Sequence, residues 1–168
     1  MVKLLLSRGE AGSILGVRGE TIQSIRTQND VKLHLDKDNS TQRILSMKGY
    51  IVNLKEAVKH ILEILEDRGS NLGNKSIKLI IPDDKCKRLV STNASLLQEI
   101  SRQTGLRISM KPLCLPCSNE RIVRLMEGRG NVEECVMMLY ERLGGNSESN
   151  TKAYVPPKLP TVSSQQEV

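Results

Sequence analysis

The chain has 168 residues, enough for one ordinary domain or two small ones, and its 38% hydrophobic content argues against a disordered chain. Lys and Arg number 25 against 19 Asp and Glu, and the resulting charge of +6 favours a polyanionic partner. Three Tyr, without Phe or Trp, argue against a nucleic-acid reader built on aromatic stacking, and no apolar run approaches the roughly 20 residues of a membrane helix.

The first half of the chain contains six predicted elements in the order strand, helix, helix, strand, strand, helix. Apolar alternation marks the strands, and apolar residues at helical spacing mark the helices. The elements are residues 2–6, 10–15, 20–28, 31–36 and 43–48, and a last helix that Asn53 caps and that includes Leu65.

The second half of the chain repeats this pattern. At an offset of 75 residues, 2–6 aligns with 77–81 and 31–33 aligns with 106–108. A three-residue insertion near Cys114 raises the offset to 78 for the remaining elements. The chain therefore contains two copies of one β-α-α-β-β-α unit, which predicts the α+β class.

The predicted domain boundaries follow from this repeat. We expect the first unit at 1–68, a Gly/Asn/Ser linker at 69–75 and the second unit at 76–143. Residues 144–168 are Gly, Ser, Asn, Pro and Gln-rich without periodicity, which predicts a disordered tail. Because a buried-strand pattern begins at Val2, we also expect the chain to be a part of a longer protein.

A glycine-flanked loop, Gly16-Val17-Arg18-Gly19, joins the two short helices of the first unit. Its glycines let the backbone turn sharply and let a sugar-phosphate chain approach without a Cβ in the way. The amides that begin the next helix, together with Arg18, offer donors and positive charge to phosphates. The position between two short helices, after a strand and before a hairpin, predicts a nucleic-acid-binding loop.

The segment Gly12 to Ile22, GSILGVRGETI, resembles the signature of the eukaryotic, type I KH domain, and the resemblance extends over both units. It implies that each unit is a three-stranded antiparallel sheet packed on three helices. It also implies that single-stranded RNA, or single-stranded DNA, lies in a narrow groove that clamps about four nucleotides. The walls of such a groove are the GxxG loop with its flanking helices and the second strand with the loop that follows it.

Within this family the first unit is most similar to the poly(C)-binding proteins, in which basic residues on the second and third strands point at the bases. Lys32 and Arg43 occupy these positions here, unless they are simply solvated strand residues. Lys32 replaces an arginine and lacks its bidentate fork, so a strict cytosine preference does not follow. The predicted nucleic-acid-binding residues are Gly12, Ser13, Ile14, Gly16, Val17, Arg18, Gly19, Glu20, Ile22, Lys32, Leu33, His34 and Arg43.

The second unit has lost the loop motif, because Ser91-Thr92-Asn93-Ala94 replaces it. A Cβ at both ends penalises left-handed backbone and blocks close approach, so we predict a degenerate unit with weak or absent phosphate binding. Arg107 and Arg121 match Lys32 and Arg43 and are secondary candidates. The last helix is apolar on more than one face, which predicts packing on the first unit or on a protein partner.

No catalytic or metal-binding pattern is apparent. His34 and His60 have no nucleophile at a suitable spacing, and no P-loop lysine follows a glycine loop. Cys114 and Cys117 form a CxxC that would suit half a zinc site or a redox pair, but a loop of variable length is the favoured interpretation. Cys86 and Cys135 align with Ala11 and Ala57, which predicts that they are buried. We therefore predict a non-enzyme with no cofactor, metal or small-molecule substrate.

The sequence thus predicts a single-stranded RNA-binding protein that acts in post-transcriptional regulation, including mRNA processing, with no membrane association. Four cysteines do not form a disulfide framework in a chain of this size, so we expect a reducing compartment, nuclear, cytoplasmic or both. The alternative hypothesis is a protein-interaction scaffold that assembles an RNA-processing complex with little RNA affinity of its own.

Overall fold

The computed structural model describes residues 1–36, 41–67, 76–90, 95–126, 131–143 and 155–156. These residues form the predicted element order twice. The first unit consists of β1 (Val2–Ser7), α1 (Arg8–Leu15), α2 (Glu20–Asn29), β2 (Lys32–Leu35), β3 (Gln42–Lys48) and α3 (Ile51–Asp67). The second consists of β4 (Ser76–Pro82), α4 (Asp83–Val90), α5 (Ser95–Thr104), β5 (Arg107–Met110), β6 (Glu120–Met126) and α6 (Val132–Arg142).

The predicted α+β architecture is confirmed, and the two predicted three-stranded sheets are joined edge to edge. The strand order is β2-β3-β1-β4-β6-β5, with antiparallel pairing throughout. The junction pairs β1 with β4 at Leu4 and Leu79. Each unit therefore covers the strand edge that the other would otherwise expose.

One face of this sheet carries the helices and the main core. Leu4 of β1, Leu45 of β3 and Val123 of β6 belong to one buried cluster that extends through both units. The long helix α3 contributes a stripe at helical spacing, namely Leu54, Ala57, Val58, Ile61 and Leu65. A smaller buried cluster on the helix-free face consists of Leu5, Ile44 and Ile80.

The unusual apolar distribution of α6 has an explanation within the chain. Its buried residues include Cys135, Val136, Met137 and Leu139, which occupy more than one side of the helix. Besides the sheet of its own unit, α6 packs against α5 and against α3 of the first unit. The second unit therefore packs on the first through both a helix pair and a strand pair.

Ion pairs cross between the two units. Lys3 Nζ lies 3.0 Å from Glu120 Oε1, and the Glu120 side chain is only 1% exposed. Lys55 Nζ lies 2.8 Å from Glu134 Oε2 at the exposed surface between α3 and α6. The first pair compensates a buried carboxylate, which makes it the more important for stability.

The two last helices begin differently, and the prediction for the first was wrong. Asn53 is not an N-cap, because α3 already begins at Ile51. Its side-chain Nδ2 donates instead to the backbone carbonyl of Asp30 at 3.5 Å. The equivalent Asn131 does cap α6, since its Oδ1 accepts a hydrogen bond from the Glu134 amide at 3.2 Å.

The predicted linker at 69–75 lies outside the described residues, as does the predicted tail at 144–168 apart from residues 155 and 156. Within the described part of the chain, none of the helices has the length and apolar character needed to cross a membrane.

Candidate nucleic-acid interface

The loop between α1 and α2 depends on glycine at its first position. Gly16 has φ +74° and ψ −178°, a combination that is essentially restricted to glycine. A Cβ at this position would lie 2.0 Å from Thr21 Oγ1 and 2.6 Å from Thr21 Cβ, well inside van der Waals contact. The Gly16 amide donates to the Gly12 carbonyl at 3.0 Å, so the turn is fixed on the end of α1.

The rest of the loop turns back through left-handed backbone. Arg18 has φ +55° and Gly19 has φ +73°. Val17 is 74% exposed, and Arg18 is also exposed, so these two side chains form the tip of the loop. The Glu20 amide that begins α2 donates to the Val17 carbonyl, and the Gly19 N-cap has no side chain to accept from the amides that follow it.

The helix before the loop is held in place at its own start. Ser7 and Glu10 form a capping box: Ser7 Oγ accepts from the Glu10 amide at 3.2 Å, and Glu10 Oε1 accepts from the Ser7 amide at 3.0 Å. Ser13 Oγ donates to the Gly9 carbonyl at 3.1 Å. The loop therefore rests on a short helix with satisfied ends rather than on a long flexible segment.

The structure brings most of the predicted loop-side residues together on the exposed end of α1 and the start of α2. Gly12, Ser13 and Glu20 lie within one helical turn of the loop and are exposed or half-buried. The apolar candidates behave differently. Ile14, Ile22 and Leu33 are at most 5% exposed and belong to the core cluster, so in this structure they support the loop and β2 from beneath.

The predicted residues on β2 lie at the edge of the sheet. Lys32 and His34 are exposed and alternate with Leu33, which points to the helix side. Strand alternation therefore directs Lys32 and His34 toward the helix-free face. Lys32 lies directly opposite Lys48 of β3, and His34 lies opposite Ser46.

Arg43 is not a freely solvated strand residue. It is only 7% exposed, and its Nε and Nη2 donate to the backbone carbonyl of Asp36 at 3.0 and 2.5 Å. The Asp36 carboxylate in turn accepts from the Ile44 amide at 2.8 Å. Arg43 thus ties β3 to the end of β2, and a base that used its guanidinium would have to replace these bonds.

Sequence reasoning missed Arg26, which spans the space between α2 and β2. Its Nε and Nη2 donate to the Leu33 carbonyl at 3.1 and 2.8 Å, and its Nη1 donates to Gln23 Oε1 at 3.2 Å. The only sequence signal is its position one turn after Ile22 on a helix that precedes an edge strand. Ser101 is the equivalent residue in the second unit, and its Oγ donates to the Leu106 carbonyl at 2.5 Å.

The basic candidates of the second unit differ in availability. Arg107 is exposed on the edge strand β5. Arg121 Nε, by contrast, forms an ion pair with Asp83 Oδ1. Burial alone would raise the pKa of Asp83, yet the hydrogen bond from Lys87 and the charge of Arg121 hold that pKa below its ordinary value. The replaced loop at 91–94 lies outside the described residues.

Two of the four thiols are buried and two are exposed, and the buried ones are those that align with alanines of the first unit. Cys86 and Cys135 are fully buried, and burial raises their thiol pKa to about 12 and about 11, respectively. Cys114 and Cys117 are exposed in the loop between β5 and β6. Among the described residues, no group of three or more His, Cys, Asp and Glu side chains is arranged to hold a metal ion.

Comparison with known proteins gives a match to a family model and distant likenesses to solved structures. A model of the KH domain matches residues 1–63 and 76–141. A chain in the a/eIF2alpha–aDim2p–rRNA complex from Pyrococcus horikoshii OT3 is 13% identical, with 86% of each chain covered and a TM-score of 0.30. Dim2p from the same organism is 14% identical over 87% of this chain and 92% of that chain, with a TM-score of 0.29. At TM-scores this low, neither likeness indicates a function for this chain.

Proposed function

Because the chain belongs to the KH-domain family, whose members are RNA-binding modules, we propose that its first unit clamps single-stranded RNA at the GxxG loop. The observation that carries this proposal is the loop geometry. A turn that admits only glycine at Gly16 presents Val17 and Arg18 at an exposed tip, next to the uncapped start of α2. About four nucleotides fit such a clamp.

Phosphate binding at this loop has two physical sources. The amides that follow Glu20 in the first turn of α2 have no side-chain cap, and a helix N-terminus favours negative charge. Arg18 adds a guanidinium that is matched to phosphate geometry. Because neither source reads base identity, the loop supplies affinity and position along the strand rather than sequence preference.

Base preference comes from the β2 side of the groove. The chain is a type I KH protein similar to the poly(C)-binding group, with a relaxed preference for C-rich strands. Lys32 is exposed but offers a point charge instead of a fork, and Arg43 already donates to Asp36. Single-stranded DNA is a second ligand of the same groove, since the proposed contacts do not require a 2′-hydroxyl group.

The second unit is a degenerate KH unit that stabilises the first. Supporting this role, Ser91 and Ala94 stand where the first unit has glycines, and Arg121 is paired with Asp83. The apolar side of α6 that suggested a protein partner packs on α3 and α5. These features favour an RNA-binding protein over a protein scaffold, and they fit an intracellular role, nuclear or cytoplasmic, in post-transcriptional regulation.

Fluorescence anisotropy with labelled C-rich, U-rich and A-rich RNA tests the proposal. Val17→Asp/Arg18→Asp reverses the charge of the loop tip while keeping both glycines, and we expect it to weaken binding at least tenfold. The matched control is Val52→Asp/Lys59→Asp on α3, which makes the same charge change at exposed positions remote from the loop in sequence. Equal losses in the two variants, or no binding by the wild type, would show that the loop is not the reader.

A further inference from the structure

The helix-free face of the sheet carries basic side chains from both units. Residues next to core positions on each strand point away from the helices, because side chains alternate along a strand. Leu33, Met47, Leu79 and Val123 lie in the helix-side core, and Ile108 packs against it. Their strand neighbours on the opposite face form what we call the basic sheet face, namely Lys32, Lys48, Lys78, Arg107 and Arg124.

We infer that the basic sheet face binds the phosphate backbone of RNA that extends beyond the groove of the first unit. The inference rests on the proposed function and adds to it a site outside the groove. The second unit would thus contribute to RNA binding through its sheet, although its loop has lost the GxxG motif.

Two cross-strand pairs of like charge are the main evidence. Lys32 lies directly opposite Lys48, and Lys78 lies directly opposite Arg124. Like charges at directly opposed positions destabilise a sheet. Within the described residues, no carboxylate forms an ion pair with any of these four side chains. A polyanion bound across this face would relieve both repulsions.

The acidic residues that border this face are already engaged. Glu120 is 1% exposed and paired with Lys3, and the Asp36 carboxylate accepts from the Ile44 amide. Arg124 has, in contrast, a buried Nε that lacks a hydrogen-bond acceptor among the described residues. As far as the described residues go, the face thus combines cations that have no carboxylate partner with a donor that has no acceptor, which is the chemistry of a phosphate-binding surface.

The geometry connects this face with the groove. Lys32 lies on β2, at the wall of the proposed groove, and it begins the face. Between the Lys32/Lys48 pair and the Lys78/Arg124 pair, the face includes the buried apolar side chains of Leu5, Ile44 and Ile80, against which Leu115 packs. Because adjacent strands are about 4.8 Å apart, β3 and β4 are separated by roughly 10 Å across the sheet, and the register offsets the two pairs by a further four residues, roughly 13 Å, along the strands. Such spaced point charges suit the repeated charges of a nucleic-acid strand.

The test compares two RNA lengths. A four-nucleotide strand fills the groove alone, whereas a 16-nucleotide strand of the same base composition also reaches the sheet. We expect Lys78→Ala/Arg124→Ala to leave binding of the short strand unchanged and to weaken binding of the long strand about tenfold in low salt. The slope of log affinity against log salt concentration for the long strand should become shallower by about 1.4, because each of the two lost phosphate contacts contributes about 0.7.

Two controls make the result specific. Lys59→Ala/Arg142→Ala removes the same two charges from exposed positions on α3 and α6 and should weaken neither strand. Thermal denaturation should show that Lys78→Ala/Arg124→Ala is folded with an unchanged or higher Tm, because it removes a like-charge pair.

The outcomes separate this inference from the proposed function. If the short strand binds and depends on Val17 and Arg18, but the sheet variant binds the long strand like the wild type, the inference alone is wrong. The same conclusion holds if the sheet variant weakens both lengths equally. If neither strand binds, the proposed function fails and the inference fails with it.

Discussion

The two units of this chain share one architecture and differ at the positions that would contact RNA. Both have the element order β-α-α-β-β-α, and both contribute to one sheet and one core. The first unit keeps a loop that only glycine can form at Gly16, whereas Ser91 begins the equivalent segment of the second. The comparison teaches that the apolar periodicity maintains the fold in both copies, while the glycine-dependent loop geometry rests on a few positions.

The contrast also extends to the basic residue on the third strand of each unit. Arg43 donates to a backbone carbonyl and thereby ties the end of β2 to β3. Arg121, its counterpart, pairs with the Asp83 carboxylate at the start of α4. The equivalent arginines therefore stabilise different features: Arg43 the β2–β3 hairpin, and Arg121 the contact between β6 and the start of α4.

The largest expected effect tests whether the loop of the first unit needs glycine. Gly16→Ala introduces a Cβ that meets Thr21 Oγ1 at 2.0 Å, at a φ of +74°. The loop must rearrange, so we expect RNA affinity to fall at least tenfold, and the strained backbone to reduce the free energy of unfolding by about 1–3 kcal/mol. Anisotropy and urea denaturation measure the two effects.

Gly19→Ala is the matched control for this change. Gly19 also has a positive φ, but the nearest atoms to its Cβ would be 4.0 Å away. We therefore expect a smaller loss of affinity than for Gly16→Ala. If the two variants are equally impaired, backbone conformation rather than the contact with Thr21 sets the requirement, and if neither is impaired, the loop does not depend on glycine.

Much of this fold was predictable because apolar periodicity is local. The order of the elements and the repeat come from such patterns, and the glycine motif located the loop. The edge-to-edge junction was not predicted, although Leu4, Leu5 and Leu6 in succession are typical of a central strand with both faces covered. That run does not specify which strand pairs with β1, and the Leu4–Leu79 register has no separate sequence signal.

The candidate site was predictable in its loop and less so on its strands. Consecutive residues 16–19 are necessarily close together, so their motif could be found without a structure. The partners of Arg43 and Arg26 are backbone carbonyls, of Asp36 and Leu33, and a carbonyl carries no residue identity. A sequence pattern therefore cannot indicate that these two guanidinium groups are engaged.

The next largest effect tests how strongly the second unit supports the first. Lys3→Met removes the ammonium group that pairs with Glu120, whose side chain is 1% exposed. A buried carboxylate without its cation is costly, so we expect the free energy of unfolding to fall by about 2–3 kcal/mol. Urea denaturation at neutral pH gives this value.

The repeat itself supplies a control for Lys3→Met. Gln42 occupies the position of Glu120 in the first unit, so Lys3→Met/Glu120→Gln replaces the Glu120 carboxylate with a neutral group of similar size. We expect the double variant to recover part of the lost stability. If it is as unstable as the sum of the two single variants, the pair does not couple the two units.

The smallest effect concerns the buried thiols, which the second unit has where the first has alanine. Burial raises the pKa of Cys86 to about 12 and that of Cys135 to about 11, above the ordinary value of 9.0. Because the folded state disfavours the thiolate, their contribution to stability is complete below pH 9 and is lost as the pH rises toward 11–12. We expect a loss of about 1 kcal/mol per thiol by pH 10.

Substitution by the residues of the first unit isolates this contribution. Cys86→Ala/Cys135→Ala inserts the counterparts Ala11 and Ala57, which are equally buried. Lys and Tyr side chains titrate in both proteins, so the difference in slope of unfolding free energy against pH between 8 and 10 belongs to the two thiols. The wild type should lose stability more steeply than the variant. Parallel curves of unfolding free energy against pH would mean that the two thiols ionise as readily in the folded state as in the unfolded state. Their burial would then not contribute to the pH dependence of stability.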